Sequence, residues 1–141
     1  MIHRNKSLVS PASIFSNDDQ ADISRKTVHV LHHGRALYTL IKPGNGPNEP
    51  PSVRKVMMGA NAAAGEVRQL VVGGDEWKAS EIPAEDLQSD RNEQDVSCLI
   101  TEVVVPGFYW ADHEYLTKEG LEKLFATAPD QIPKYMPRIK Q

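Results

Sequence analysis

The sequence predicts an all-β sandwich or barrel with one C-terminal helix. Three observations carry that prediction. Short runs rich in β-branched and aromatic residues recur between Gly/Pro turns from Thr27 onward. The longest apolar run, "VSCLITEVVVPGFYW", ends at a Pro-Gly turn, and its β-branched content marks a strand rather than a helix. Apolar residues at three- and four-residue spacing appear only near the end, at Leu121, Leu124 and Phe125.

Taken in order, "LVSPASIFSNDDQADIS" (Leu8 to Ser24) has no sustained period of two or 3.6 and reads as a loop or insert. "TVHVLHHGRALYTLIKPG" reads as two strands around a turn at Gly34, closed by Pro43-Gly44. After the loop "GNGPNEPPS", "VRKVMMG" is a further strand ending at Gly59. "VRQLVV" is a strand broken by Gly73-Gly74, and "EWKASEI" is the next. "AEDLQSDRNEQD" is a charged loop with a short helical turn after Pro83. "VSCLITEVVV" is expected to be a central strand. Thr117 is a good N-cap for the helix in "LTKEGLEKLFAT", which its internal Gly120 weakens. The tail "APDQIPKYMPRIKQ", with three prolines, is expected to wrap a surface or hang free. The chain thus divides into a poorly ordered N-terminal segment (1–25), one domain (26–128) and a C-terminal tail (129–141).

Composition narrows the function. At 141 residues the chain holds one domain with a real core. A net charge of −3 gives no clustered positive surface for nucleic acid. No run approaches the roughly 20 apolar residues needed to cross a bilayer, and the start lacks a signal-peptide pattern. The expectation is a cytoplasmic protein with no nucleic-acid or membrane partner. The single cysteine, Cys98, excludes an internal disulfide and a multi-cysteine zinc site. Its apolar surroundings suggest an inert thiol.

The runs "GEVRQLVVGGDEWKASEIP" and "CLITEVVVPGFYWADHEYL" resemble the RmlC-like cupin superfamily, in a subgroup of uncharacterised function. The residues carrying the resemblance are Gly65, the strand to Val72, the Gly73-Gly74 turn, Trp77 and "PGFYWADHE" from Pro106 to Glu114. It extends from about Lys26 to Phe125. The resemblance implies a cupin-type jelly-roll β-barrel, here partial. "HRNKS" (His3 to Ser7) resembles the family's segment just before the strand at Thr27, which makes residues 8–25 an insertion. The expectation is a truncated or mis-assembled gene product, its missing strands leaving edges that favour a homodimer.

Many cupins hold one divalent metal through two histidines and a glutamate in a first motif and a further histidine in a second. Carried over, the glycine of the first motif falls on Gly34 and its glutamate on Thr27. Of the paired histidines only His3 matches, and the position two before it is Met1. The second motif's histidine falls at or beside Lys78, whose ammonium would repel a metal. No metal and no cofactor are therefore expected.

His29, His32 and His33 raise a separate possibility of a metal site. Within a strand, however, His29 and His33 face one side and His32 the other, so all three converge only across a bulge. The pair beside Gly34 reads as a solvent-facing turn. His29 shares the face of Thr27, toward the interior, either as a satisfied core histidine or as a proton-transferring or ligand-orienting residue. Glu102 interrupts an apolar strand and so needs a partner. A Lys78–Glu102 ion pair would satisfy both, and the same three groups could instead do acid–base work. Candidate pocket residues are His29, Lys78 and Glu102, with Tyr38, Trp77 and Trp110 as candidate ligand contacts.

The leading expectation is a cupin-fold protein that binds a small-molecule ligand without the usual metal. A second, implied by the resemblance because some cupins abstract a proton next to a carbonyl with His and Tyr, is a metal-independent sugar or keto-acid epimerase or isomerase, with His29 as base and Tyr38 as acid. A third, a metal-dependent oxygenase or lyase, suffers from the missing ligands.

Overall fold

The computed structural model describes residues 1–5, 26–87 and 96–139. Among the described residues, eight strands form two antiparallel sheets. The larger runs β4 (Ser52–Met58), β3 (Ala36–Lys42), β6 (Trp77–Glu81), β1 (His3–Asn5) and β8 (His113–Tyr115). The smaller runs β5 (Gln69–Gly73), β2 (Lys26–His33) and β7 (Leu99–Val105). The all-β class and the C-terminal helix follow the sequence prediction.

Side-chain alternation along β3 shows how the layers are built. Ala36, Tyr38 and Leu40 point into a core shared with Leu31, Met58, Leu70 and Val72, so this cluster fills the space between the sheets. Ile41, on the opposite face, joins Ile2, Trp77, Ala79, Leu116, Leu121, Phe125 and Tyr135 in a second core under the C-terminal helices. The larger sheet is therefore buried on both faces over β3 and β6, which is why β3 reads as nearly continuous apolar sequence.

Several expectations are corrected. The two strands expected around Gly34 are present, but they lie in different sheets, so the turn is a corner between layers. Gly34 adopts φ +77°, and a Cβ there would sit 2.0 Å from the Ser97 carbonyl oxygen, so the corner needs a glycine. Among the described residues, β7 lies at the edge of its sheet and not at its centre, with Leu99, Val103 and Val105 exposed on its outer face. The central place in that sheet goes to β2, flanked on both sides. Residues 1–25 were expected to lie outside the domain. Yet His3–Asn5 is inserted between β6 and β8, while 6–25 fall outside the described residues. The strand expected from Val67 begins at Gln69, and Val67 forms only a parallel bridge to Met58.

The C-terminal part is helical and packed. In α2 (Lys118–Leu124), Thr117 Oγ1 accepts a hydrogen bond from the Gly120 amide, as its N-cap character predicts. The tail does not hang free: Pro129–Gln131, α3 (Ile132–Tyr135) and Met136–Arg138 are successive helical turns. Tyr135 stacks on Phe125 with ring centroids 5.2 Å apart, and the Ile2 amide donates to the Arg138 carbonyl. A short turn after Pro83, α1 (Ala84–Leu87), also appears where expected.

Candidate functional site

The site lies between the sheets and is dictated by strand register. On β6, Trp77 and Ala79 face the second core, so Lys78 and Ser80 face the opposite way, toward the smaller sheet. Pairing of Leu40 with Lys78 and of Tyr38 with Ser80 puts all four on that inner face. Across the gap, His29 on β2 pairs with Glu102 on β7, which turns the carboxylate inward from an otherwise apolar strand. His3 on β1 pairs with Lys78 and joins the same face.

These side chains form a hydrogen-bonded chain. Tyr38 Oη lies 3.1 Å from His29 Nδ1, and Lys78 Nζ lies 3.3 Å from His29 Nε2. Lys78 Nζ also donates to Glu102 Oε1. Tyr38, His29 and Lys78 are buried, whereas the Glu102 side chain keeps 36% of its surface exposed. A cleft of about 330 Å³ opens in front of this chain, lined in part by His29, Tyr38, Ser80, Ile100 and Glu102.

Burial sets the protonation states. It pulls His29 down to about 4, with the Lys78 charge acting in the same direction and Glu102 opposing it. His3 is also lowered to about 4, by burial and then by Lys78 and His113. Burial, reinforced by the Glu102 charge, raises the Tyr38 hydroxyl to about 12. Burial lowers Lys78, only partly offset by its bond to Glu102. For Glu102, burial pushes upward, but the hydrogen bond and charge of Lys78 hold the carboxyl below its ordinary value. With an ammonium donating to Nε2, neutral His29 carries its proton on Nδ1 and donates to Tyr38. Both ring nitrogens are then engaged.

The sequence therefore brings His29, Lys78, Glu102 and Tyr38 together, and the structure adds His3 and Ser80. His3 Nδ1 is buried with no hydrogen-bond partner among the described residues. The family resemblance had placed His3 at one of the paired-histidine positions, and pairing of its strand with distant β6 and β8 is what brings it to this face. Trp77 and Trp110 do not join the cleft. Trp77, as the strand neighbour of Lys78, must face the other way; it is buried there with the Arg4 guanidinium 4.2 Å over its ring. Trp110 is 80% exposed beside Phe108 and His113.

The metal implied by the cupin resemblance does not fit these donors. The buried Lys78 ammonium lies between His29 and Glu102, where a second cation would be repelled. Thr27, at the position of the family's glutamate, is a buried neutral residue. His32 and His33 are exposed beyond a register shift in β2 and do not approach His29. Among the described residues no group of three or more His, Cys, Asp or Glu side chains could hold a metal ion. No described helix is long and apolar enough to cross a membrane.

Comparison with known proteins gives consistent results. An uncharacterised protein of Saccharomyces cerevisiae is 35% identical over 94 residues, which cover 67% of this chain and 41% of that protein. The chain therefore spans less than half the length of this relative. A hypothetical protein from Leishmania major superposes with a TM-score of 0.59 at 22% identity, covering 94% of this chain and 66% of that one. A protein from Shewanella oneidensis gives a TM-score of 0.52 at 16% identity, with 94% and 63% covered. At these identities the two structures speak for the fold alone. The model of the Cupin superfamily (DUF985) matches residues 17–116, so the match begins inside the stretch read from sequence as an insertion. With most of its length matched and its strands arranged in two facing antiparallel sheets, the chain belongs to the Cupin superfamily (DUF985).

Proposed function

We propose that this protein is a cytoplasmic small-molecule-binding cupin that works without the metal common in its superfamily, its ligand seated in the cleft before Tyr38, His29 and Glu102. The observation that carries this reading is the continuous Tyr38–His29–Lys78–Glu102 chain in the wall of that cleft. The Lys78 and Glu102 charges offset each other, so the wall offers directed polar groups with little net charge. Ile82 and Ile100 supply apolar surface beside them. A few fixed polar groups on an apolar lining is the usual make-up of a small-molecule site.

Ligand-detected NMR against a library of small polar metabolites tests the proposal. A true cleft ligand should bind Tyr38→Phe about 3- to 10-fold more weakly, the range expected for one lost hydrogen bond. Ligands whose affinity ignores that change would sink the idea.

A second reading, a metal-independent epimerase or isomerase, draws on the Tyr38–His29 hydrogen bond. It ranks behind binding for a physical reason. Each ring nitrogen of His29 already has a partner, so removing a substrate proton there requires one of those bonds to break first. Deuterium incorporation from solvent into a bound keto-acid or nucleotide sugar would reverse the ranking.

A further inference from the structure

We propose that Lys78 is a carbonyl-capturing nucleophile, held between Glu102 and His29 so that it condenses with an aldehyde or ketone ligand in the cleft. The inference rests on the reading of that cleft as the ligand site and names the ligand's chemical class. Several observations support it. Lys78 is 2% exposed, and its Nζ meets two groups able to accept its protons, Glu102 Oε1 and His29 Nε2. Both partners line the cleft, although Lys78 itself lies one hydrogen bond behind them. Glu102, the partly exposed member of the wall, is the group whose rotation gives a carbonyl access to Nζ.

The chemistry balances within the site. The ammonium passes one proton to the Glu102 carboxylate, leaving a free amine and a carboxylic acid. The amine lone pair forms a bond to the carbonyl carbon, and the carbonyl oxygen takes the proton from Glu102. Loss of that oxygen as water, with its second proton drawn from the nitrogen through Glu102 or His29, gives a protonated imine whose charge Glu102 balances. No oxidant, reductant or metal enters. The low-dielectric surroundings favour the free amine, since burial disfavours the ammonium. Each unit by which an amine's pKa falls gives about tenfold more free amine at neutral pH.

Intact wild-type protein is incubated near neutral pH with glyoxylate, pyruvate or glycolaldehyde, each with sodium cyanoborohydride, and adducts are located by peptide mass mapping. The exposed Lys42, Lys55 and Lys118 serve as internal comparators. The expected result is a reduced adduct that accumulates at Lys78 ahead of these three. Glu102→Gln should slow Lys78 labelling below the rate of the comparators, whereas a general loss of fold would expose Lys78 and bring all four lysines to one rate. Labelling confined to the exposed lysines, or equal at all of them, overturns the proposal. The binding reading fails differently, by an absence of ligands sensitive to Tyr38→Phe.

Discussion

Lys78 and Glu102 are an unequal pair, and that inequality can be measured. Removing the carboxylate strands a fully buried ammonium, whereas removing the amine leaves a carboxylate that water already reaches. Glu102→Ala should therefore cost about 2–3 kcal/mol, less than breaking a fully buried pair because Glu102 is partly solvated. Lys78→Met should cost less, about 1–2 kcal/mol, since an apolar chain of similar length fills the space but leaves the buried His29 Nε2 without its donor. Denaturant unfolding of both variants checks the asymmetry, and equal costs would mean that Lys78 is hydrated. At this scale the sequence was partly legible. An acidic residue inside an apolar strand requires a partner, and Glu102 advertised that requirement. Trp77 and Trp110 misled because residue type alone does not say which side of a strand faces the cavity.

Among the elements, the C-terminal turns depart furthest from their sequence appearance. Three prolines left the tail either to wrap a surface or to hang free, and it packs: Tyr135 is 1% exposed and stacked on Phe125. Its hydroxyl is buried without a hydrogen-bond partner among the described residues. Tyr135→Phe should thus leave stability unchanged or raise it by up to about 1 kcal/mol, by removing an unsatisfied polar group. Tyr135→Ala should cost about 3–5 kcal/mol through the cavity left in the second core. Thermal unfolding distinguishes the two; a large loss in Tyr135→Phe would reveal a partner for the hydroxyl. The prolines are compatible with this packing because each lies in the first turn of a short helix, where its missing amide is not needed. α2 was readable beforehand because its cap and apolar stripe are local signals. β7 was misplaced because edge and central strands can share one composition, and only their partners tell them apart.

Over the whole molecule, the polar interior makes stability depend on pH. His3 and His29 are lowered from 6.5 to about 4, so folding favours their neutral forms. A lowered histidine gives stability that is complete above 6.5 and is lost as the pH falls toward about 4, because the unfolded chain binds more protons in that window. Glu102, held below its ordinary value, adds a loss at still lower pH. The unfolding midpoint should therefore drop steadily on acidification through this window, with His29→Gln flattening the profile. A midpoint insensitive to pH there would mean that these histidines are hydrated. The sequence by itself determined the all-β class, the strand-forming runs, the capped helix, the family resemblance and the inward face of His29. The class, the runs and the helix are set by composition, period and capping within a few residues, whereas the inward face of His29 came through the resemblance, from its place two residues after Thr27. Only the tertiary structure decided that β2 and β3 part into different sheets, that β7 lies at an edge, and that His3 and Lys78 share one interior face. Each depends on hydrogen-bonded register between segments far apart in the chain, and a strand's own sequence carries no record of its partner.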